Sequence, residues 1–183
     1  MQSSGVFLDR DGVINEVLSE CVKFVNQPQD FYLLPGVGEA IKHFNILGYF
    51  VFVVTNQGGV GLGHMTEGEL AKVHQKMAEE LALYGAVVDA VAYCPHKPHA
   101  GCACRKPNAA MVTRLAKKYH IDLSTSYMVG DRHADMEAGK KAGTATILVG
   151  EREKNLRYAD MVFPDLSYVA TYLTGVRAMK KQQ

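Results

Sequence analysis

The chain reads as an α/β protein: a parallel sheet with helices on both faces and right-handed crossovers. Three observations point there. Strand-like apolar runs alternate with segments of helical period along the sequence. Residues 49–54 are a continuous β-branched and aromatic run, as in a strand covered on both faces. Polar residues follow three of the runs (Asp9 and Asp11, Thr55 and Asn56, Gly130 and Asp131), where such sheets place their ligands.

Residues 6–8 end the first strand, and Gly12 lets the chain turn sharply. Residues 13–34 show neither period and read as a flap or hairpin-like excursion punctuated by Pro28 and Pro35. Over 36–47, Val37, Ala40, Ile41, Phe44 and Leu47 share a helix face that Gly48 closes. After the 49–54 strand, Thr66 and Glu69 make a capping-box pattern ahead of Leu70, Val73, Met77 and Leu81. Residues 86–93 read as a strand, 110–119 as a helix and 127–129 as a strand. A helix over 133–142, a strand over 144–149, a short edge strand over 161–163 and a helix over 166–173 follow. Residues 1–183 are expected to form one domain, with 176–183 a frayed, solvated end.

The 183 residues carry 20 basic and 19 acidic side chains, well mixed, for a formal net charge of +1. That balance leaves no footprint for nucleic acid or an anionic membrane. No apolar run approaches a membrane span and no leader pattern opens the chain, so the expected location is cytoplasmic. The expected partner is a small molecule, with the chain a monomer or weak homo-oligomer.

Asp9 and Asp11 could divide a phosphoryl-transfer task. One carboxylate attacks phosphorus, its neighbour handles protons, and together they draw in a divalent cation. Taken alone, such a pair is more often a pair of turn or cap acids. Thr55, Asn56, Gln57, Gly58 and Gly59 offer a hydroxyl, amides and backbone N–H groups to a phosphoryl oxygen. Lys106, before Pro107, could neutralise charge in the transition state. Asp131 is expected to bind Mg²⁺, a hard cation that wants oxygen. Asp135 would hold the loop, orient the metal's waters or act as a first-turn helix acid. Cys94, His96, Cys102 and Cys104, within the loop 94–104, supply three thiolates and an imidazole for a closed, structural Zn²⁺ site, with His99 a rival to His96. Zinc there would fix the segment that presents Arg105 and Lys106. Cys21 is incidental.

These stretches resemble the four motifs of the haloacid dehalogenase (HAD) superfamily of phosphohydrolases. Phe7-Leu8-Asp9-Arg10-Asp11-Gly12 matches the first, Val54-Thr55-Asn56-Gln57 the second, Lys106 with Pro107 the third, and Gly130-Asp131 with Asp135 the fourth. The resemblance implies a Rossmann-like, HAD-like fold without a large cap domain, so the 13–34 flap, the 58–65 loop and the zinc loop would shape the pocket. It also implies that Asp9 is the nucleophile and Asp11 the acid and base. Mg²⁺ would be held by Asp9, Asp131 and the carbonyl of Asp11, with Thr55 and Lys106 binding the other phosphoryl oxygens. The zinc loop joined to Arg105-Lys106-Pro107 resembles that of the heptose 1,7-bisphosphate phosphatases and the related histidinol-phosphate phosphatases. The short segment between His96 and Cys102 suits both groups, and the brief link at 61–66 is similar to the heptose enzymes. Arg105 and Arg132 are then implied to meet the rest of the substrate, which would be a sugar phosphate.

Overall fold

The computed structural model describes residues 3–180. Six strands, β1 Gly5–Leu8, β2 Phe50–Asn56, β3 Ala90–Cys94, β4 Tyr127–Gly130, β5 Ala145–Val149 and β6 Met161–Phe163, form one sheet in the spatial order β3-β2-β1-β4-β5-β6. Every pairing is parallel. The chain winds outward from β1 in both directions, so the switch point lies between β1 and β4.

Side-chain alternation along the central strands divides the interior into two layers. Val6, Leu8, Val51 and Val53 point to the face covered by α1 (Val37–Ile46), α3 (Glu67–Ala82) and α6 (Leu166–Lys180). Phe7, Phe52 and Met128 point to the other face, against Met111, Val112 and Leu115 of α4 (Ala110–Tyr119). On that second face, α5 (His133–Ala142) reaches Met128 and Thr146 closely at Gly139. Burial on both faces explains why β1, fully buried, carries no polar residue until Asp9. Leu8 pairs with both Val53 and Val129, so the chain leaves β1, β2 and β4 at nearly one level.

Three expectations need correction. The third strand starts at Ala90, not at residue 86. The Asp89 carboxylate accepts the Val51 N–H at 2.7 Å, a side-chain bond in place of the first ladder bond. Gly58–Gly61 form a single helical turn, α2, where a loop was expected, because a Gly-Gly-Val-Gly stretch carries no periodic signal. The last helix continues to Lys180 instead of ending at 173. The Arg177 guanidinium lies 4.3 Å from the centre of the Tyr49 ring, which ties down part of the expected frayed end; residues 181–183 lie outside the described residues. The 13–34 excursion is hairpin-like, with Asn15 bridging Leu33 and a 3-10 turn at Pro28–Asp30. Among the described residues, no helix is long and apolar enough to cross a membrane.

Candidate active site

The residue after β1, the first turn of α5 and the backbone of β2 deliver oxygens to one buried ammonium. Lys106 Nζ lies 2.9 Å from Asp9 Oδ1 and 2.6 Å from Asp135 Oδ1, and it donates to the Val54 carbonyl at 2.6 Å. All three ammonium hydrogens thus have acceptors. Burial alone would lower the pKa of Lys106, but the carboxylates of Asp135 and Asp9 outweigh it and raise the pKa, so this lysine stays charged. Asn56 fixes the Lys106 backbone at both ends: its amide donates to the Lys106 carbonyl at 3.1 Å and its Oδ1 accepts the Lys106 N–H at 3.0 Å. Both polar ends of Asn56, expected to meet substrate, therefore hold the lysine.

Asp11 sits in a separate network. Its Oδ1 accepts from Arg10 Nη2 at 2.9 Å and Asn15 Nδ2 at 3.0 Å, and its Oδ2 accepts from Gln57 Nε2 at 2.9 Å. Burial favours its neutral form, yet the Arg10 charge and these donors prevail and hold its pKa below the usual value. Gln57, also expected to meet substrate, is buried with its amide shared among Arg10, Asp11 and Thr55.

Oxygens of Asp9, Asp131 and Asp135 lie within 4.8 Å of one another. Burial and the neighbouring carboxylates raise Asp9 to about 7 against the pull of Lys106. Burial and Asp135 raise Asp131 to about 6. Asp131 Oδ2 is 2.6 Å from Arg152 Nη1, whereas its Oδ1 is buried without a partner. A carboxylate cluster short of positive charge, with one orphaned oxygen, suits a hard divalent cation. The backbone of Gly12, at φ +88°, passes so close that a Cβ there would stand 2.4 Å from Asp131 Oδ2.

The second cluster lies at the end of β3. Cys94 Sγ is 3.5 Å from both His96 Nδ1 and Cys102 Sγ, and 3.2 Å from Cys104 Sγ, which is 3.3 Å from His96 Nδ1. Metal–sulfur bonds of about 2.3 Å would give a tetrahedron edges of about 3.7 Å, so the four donors fit one zinc ion. His96 fills the fourth corner, and His99 does not join the cluster. The His96 carbonyl also accepts from Arg105 Nη1 at 3.1 Å, which couples this loop to the site.

A cavity of ≈740 Å³ joins these groups. Asp9, Asp11, Thr55, Gly58, Lys106 and Asp131 form its floor and Arg105, Arg132 and Arg152 bring cations to it, while Phe24 and Leu62 line it from the excursion and the 58–65 segment. The sequence reading passed over Arg10, His74, Arg152 and Phe24. Arg10 lies two residues beyond a fully buried strand, and a single charge there carries no pattern that sets it apart from a surface residue.

A parallel sheet wound outward from β1, with acids and a buried lysine at its strand ends, defines a phosphohydrolase of the HAD class. The HAD-hydrolase-like family model matches residues 103–173. D-glycero-beta-D-manno-heptose-1,7-bisphosphate 7-phosphatase of Bordetella bronchiseptica is 38% identical over 175 residues, covering 92% of this chain and 96% of that protein. D-glycero-alpha-D-manno-heptose-1,7-bisphosphate 7-phosphatase of Campylobacter jejuni is 34% identical over 154 residues, covering 84% of this chain and 86% of that protein. The crystal structure of the B. bronchiseptica enzyme complexed with magnesium and phosphate superposes with a TM-score of 0.85 over 94% of this chain and 98% of that one. The chain belongs to the D-glycero-D-manno-heptose-1,7-bisphosphate 7-phosphatase family of HAD phosphatases and is a phosphoric monoester hydrolase.

Proposed function

We propose that the protein removes the 7-phosphate of D-glycero-D-manno-heptose 1,7-bisphosphate through an aspartyl-phosphate intermediate. The observation that carries this reading is the placing of Asp9, Asp11, Thr55, Lys106 and Asp131 on one cavity floor with Arg105, Arg132 and Arg152 lining the same cavity. Asp9 is the nucleophile: its Oδ1 is held by the Arg10 N–H at 2.7 Å and by Lys106, leaving Oδ2 to attack phosphorus in line. Asp11, a carboxylate in the free site, takes up a proton from the entering phosphate monoester, gives it to the departing sugar oxygen and then takes one from the water that opens the intermediate. Lys106 offsets the charge gathering beside Asp9, and Thr55 binds a phosphoryl oxygen.

Asp9, Asp131 and the carbonyl of Asp11 would hold Mg²⁺, with Asp135 holding Lys106 beside them. When bound, the ion offsets the repulsion between carboxylate and phosphate. Cys94, His96, Cys102 and Cys104 would hold a structural Zn²⁺ that fixes Arg105 against the cavity. The three arginines favour a substrate with a second anionic group. Histidinol phosphate instead carries an ammonium, which the same cations would repel.

Asp9→Asn tests the nucleophile. Turnover should be abolished, and acid-quenched protein should carry no phosphate, whereas the unaltered protein traps it on residue 9. Retained turnover in the pure variant would show that another group attacks.

A further inference from the structure

The proposed phosphatase reading leaves Arg10 without a task, yet it is among the largest fully buried side chains of the molecule. Its Nη2 donates to Asp11 Oδ1 at 2.9 Å and to Gln57 Oε1 at 3.1 Å, and its Nη1 lies 3.3 Å from His74 Nε2. A guanidinium donates and never accepts. Gln57 must therefore turn its oxygen to Arg10, and His74 must turn its unprotonated nitrogen there. The Gln57 amide nitrogen then faces Asp11 Oδ2 at 2.9 Å and Thr55 Oγ1 at 2.8 Å. A carboxylate only accepts, which fixes the same orientation from the other side. Thr55 Oγ1 consequently receives a hydrogen bond and keeps its own hydrogen for another acceptor. Among the described residues Gln57 is the one hydrogen-bond partner of this hydroxyl, which is buried at the cavity floor.

We infer that Arg10 and Gln57 are positioning residues that set the direction of the Thr55 hydroxyl, so that it donates into the cavity to a phosphoryl oxygen. The order of donation runs from Arg10 to Gln57, from Gln57 to Thr55, and from Thr55 to the phosphoryl group. If the amide were reversed, Thr55 would donate to Gln57 and present lone pairs to an anion, a repulsive contact. The same amide clamps Asp11, so one buried cation orders both Thr55 and Asp11.

The test is Gln57→Glu, close in shape and able to pair with Arg10, but without a hydrogen to give. The added charge also acts on Asp11, so the substitution is made twice: in the otherwise unaltered chain and together with Thr55→Val. Calorimetry measures the Kd of inorganic phosphate with Mg²⁺ present. With Thr55 in place, Gln57→Glu should weaken phosphate about tenfold, the scale of one hydrogen bond to a charged group. With Thr55→Val, the additional loss should stay below about threefold. Equal losses in both backgrounds, or no loss in the first, would overturn the inference. Circular dichroism checks folding; if Gln57→Glu does not fold, Gln57→Met replaces it in the same comparison with the same criterion. Hydrolysis of p-nitrophenyl phosphate by the unaltered chain is followed separately, so absent turnover counts against the phosphatase reading, while unequal phosphate losses still support the ordering of Thr55.

Discussion

Asp9, Asp11, Thr55, Lys106 and Asp131 were legible in the sequence because each combines a reactive group with a place at or just beyond a strand end or beside a helix start. Arg10 and His74 were not, because their roles depend on a contact between α3 and the turn after β1 that no local pattern encodes. His74 offers a test at this scale. Its burial first, and the Arg10 charge next, lower its pKa from 6.5 to about 4, against the pull of Asp11. The folded protein therefore refuses a proton that the unfolded chain accepts, so stability falls as pH drops through 6.5 toward 4. The loss reaches about 3 kcal/mol at the lower end. In His74→Gln, which keeps an acceptor for Arg10 without titrating, chemical denaturation at stepped pH should give a correspondingly flatter slope over this window. An unchanged slope would mean that His74 is not the group that resists protonation.

At the scale of elements, α1, β1, β2 and β4 follow from burial patterns that the sequence carries plainly. The α2 turn does not, since what forms it is contact with the zinc loop. The Gly61 N–H donates to the Pro95 carbonyl at 2.8 Å, and a Cβ on Gly61 would stand 2.5 Å from the Lys97 nitrogen. Gly61→Ala must push two backbones apart, an overpacking cost of about 1–3 kcal/mol. The melting temperature should fall by roughly 2–12 °C. Because the displaced segment includes His96, zinc measured by mass spectrometry after dialysis against a mild chelator should fall below that of the unaltered chain. Full zinc retention with an unchanged melting curve would contradict the packing described for this junction.

At the scale of the molecule, the winding of the sheet explains why residues from β1, β2 and β4 meet. Parallel strands end on the same side, and reversal of the winding beside β1 opens a crevice there. The architecture was legible from alternation alone. What alternation does not encode is the cavity wall, built from the 13–34 excursion, the zinc loop and Arg152, on which the proposed choice of substrate rests. The central claim is therefore tested most directly by kcat/KM for the alpha and beta anomers of D-glycero-D-manno-heptose 1,7-bisphosphate and for histidinol phosphate, measured with Mg²⁺ on the zinc-loaded protein. At least one heptose bisphosphate anomer should exceed histidinol phosphate by about tenfold or more, the worth of one well-made charged contact, with phosphate leaving from position 7. A higher value for histidinol phosphate, or release from position 1, would contradict the account.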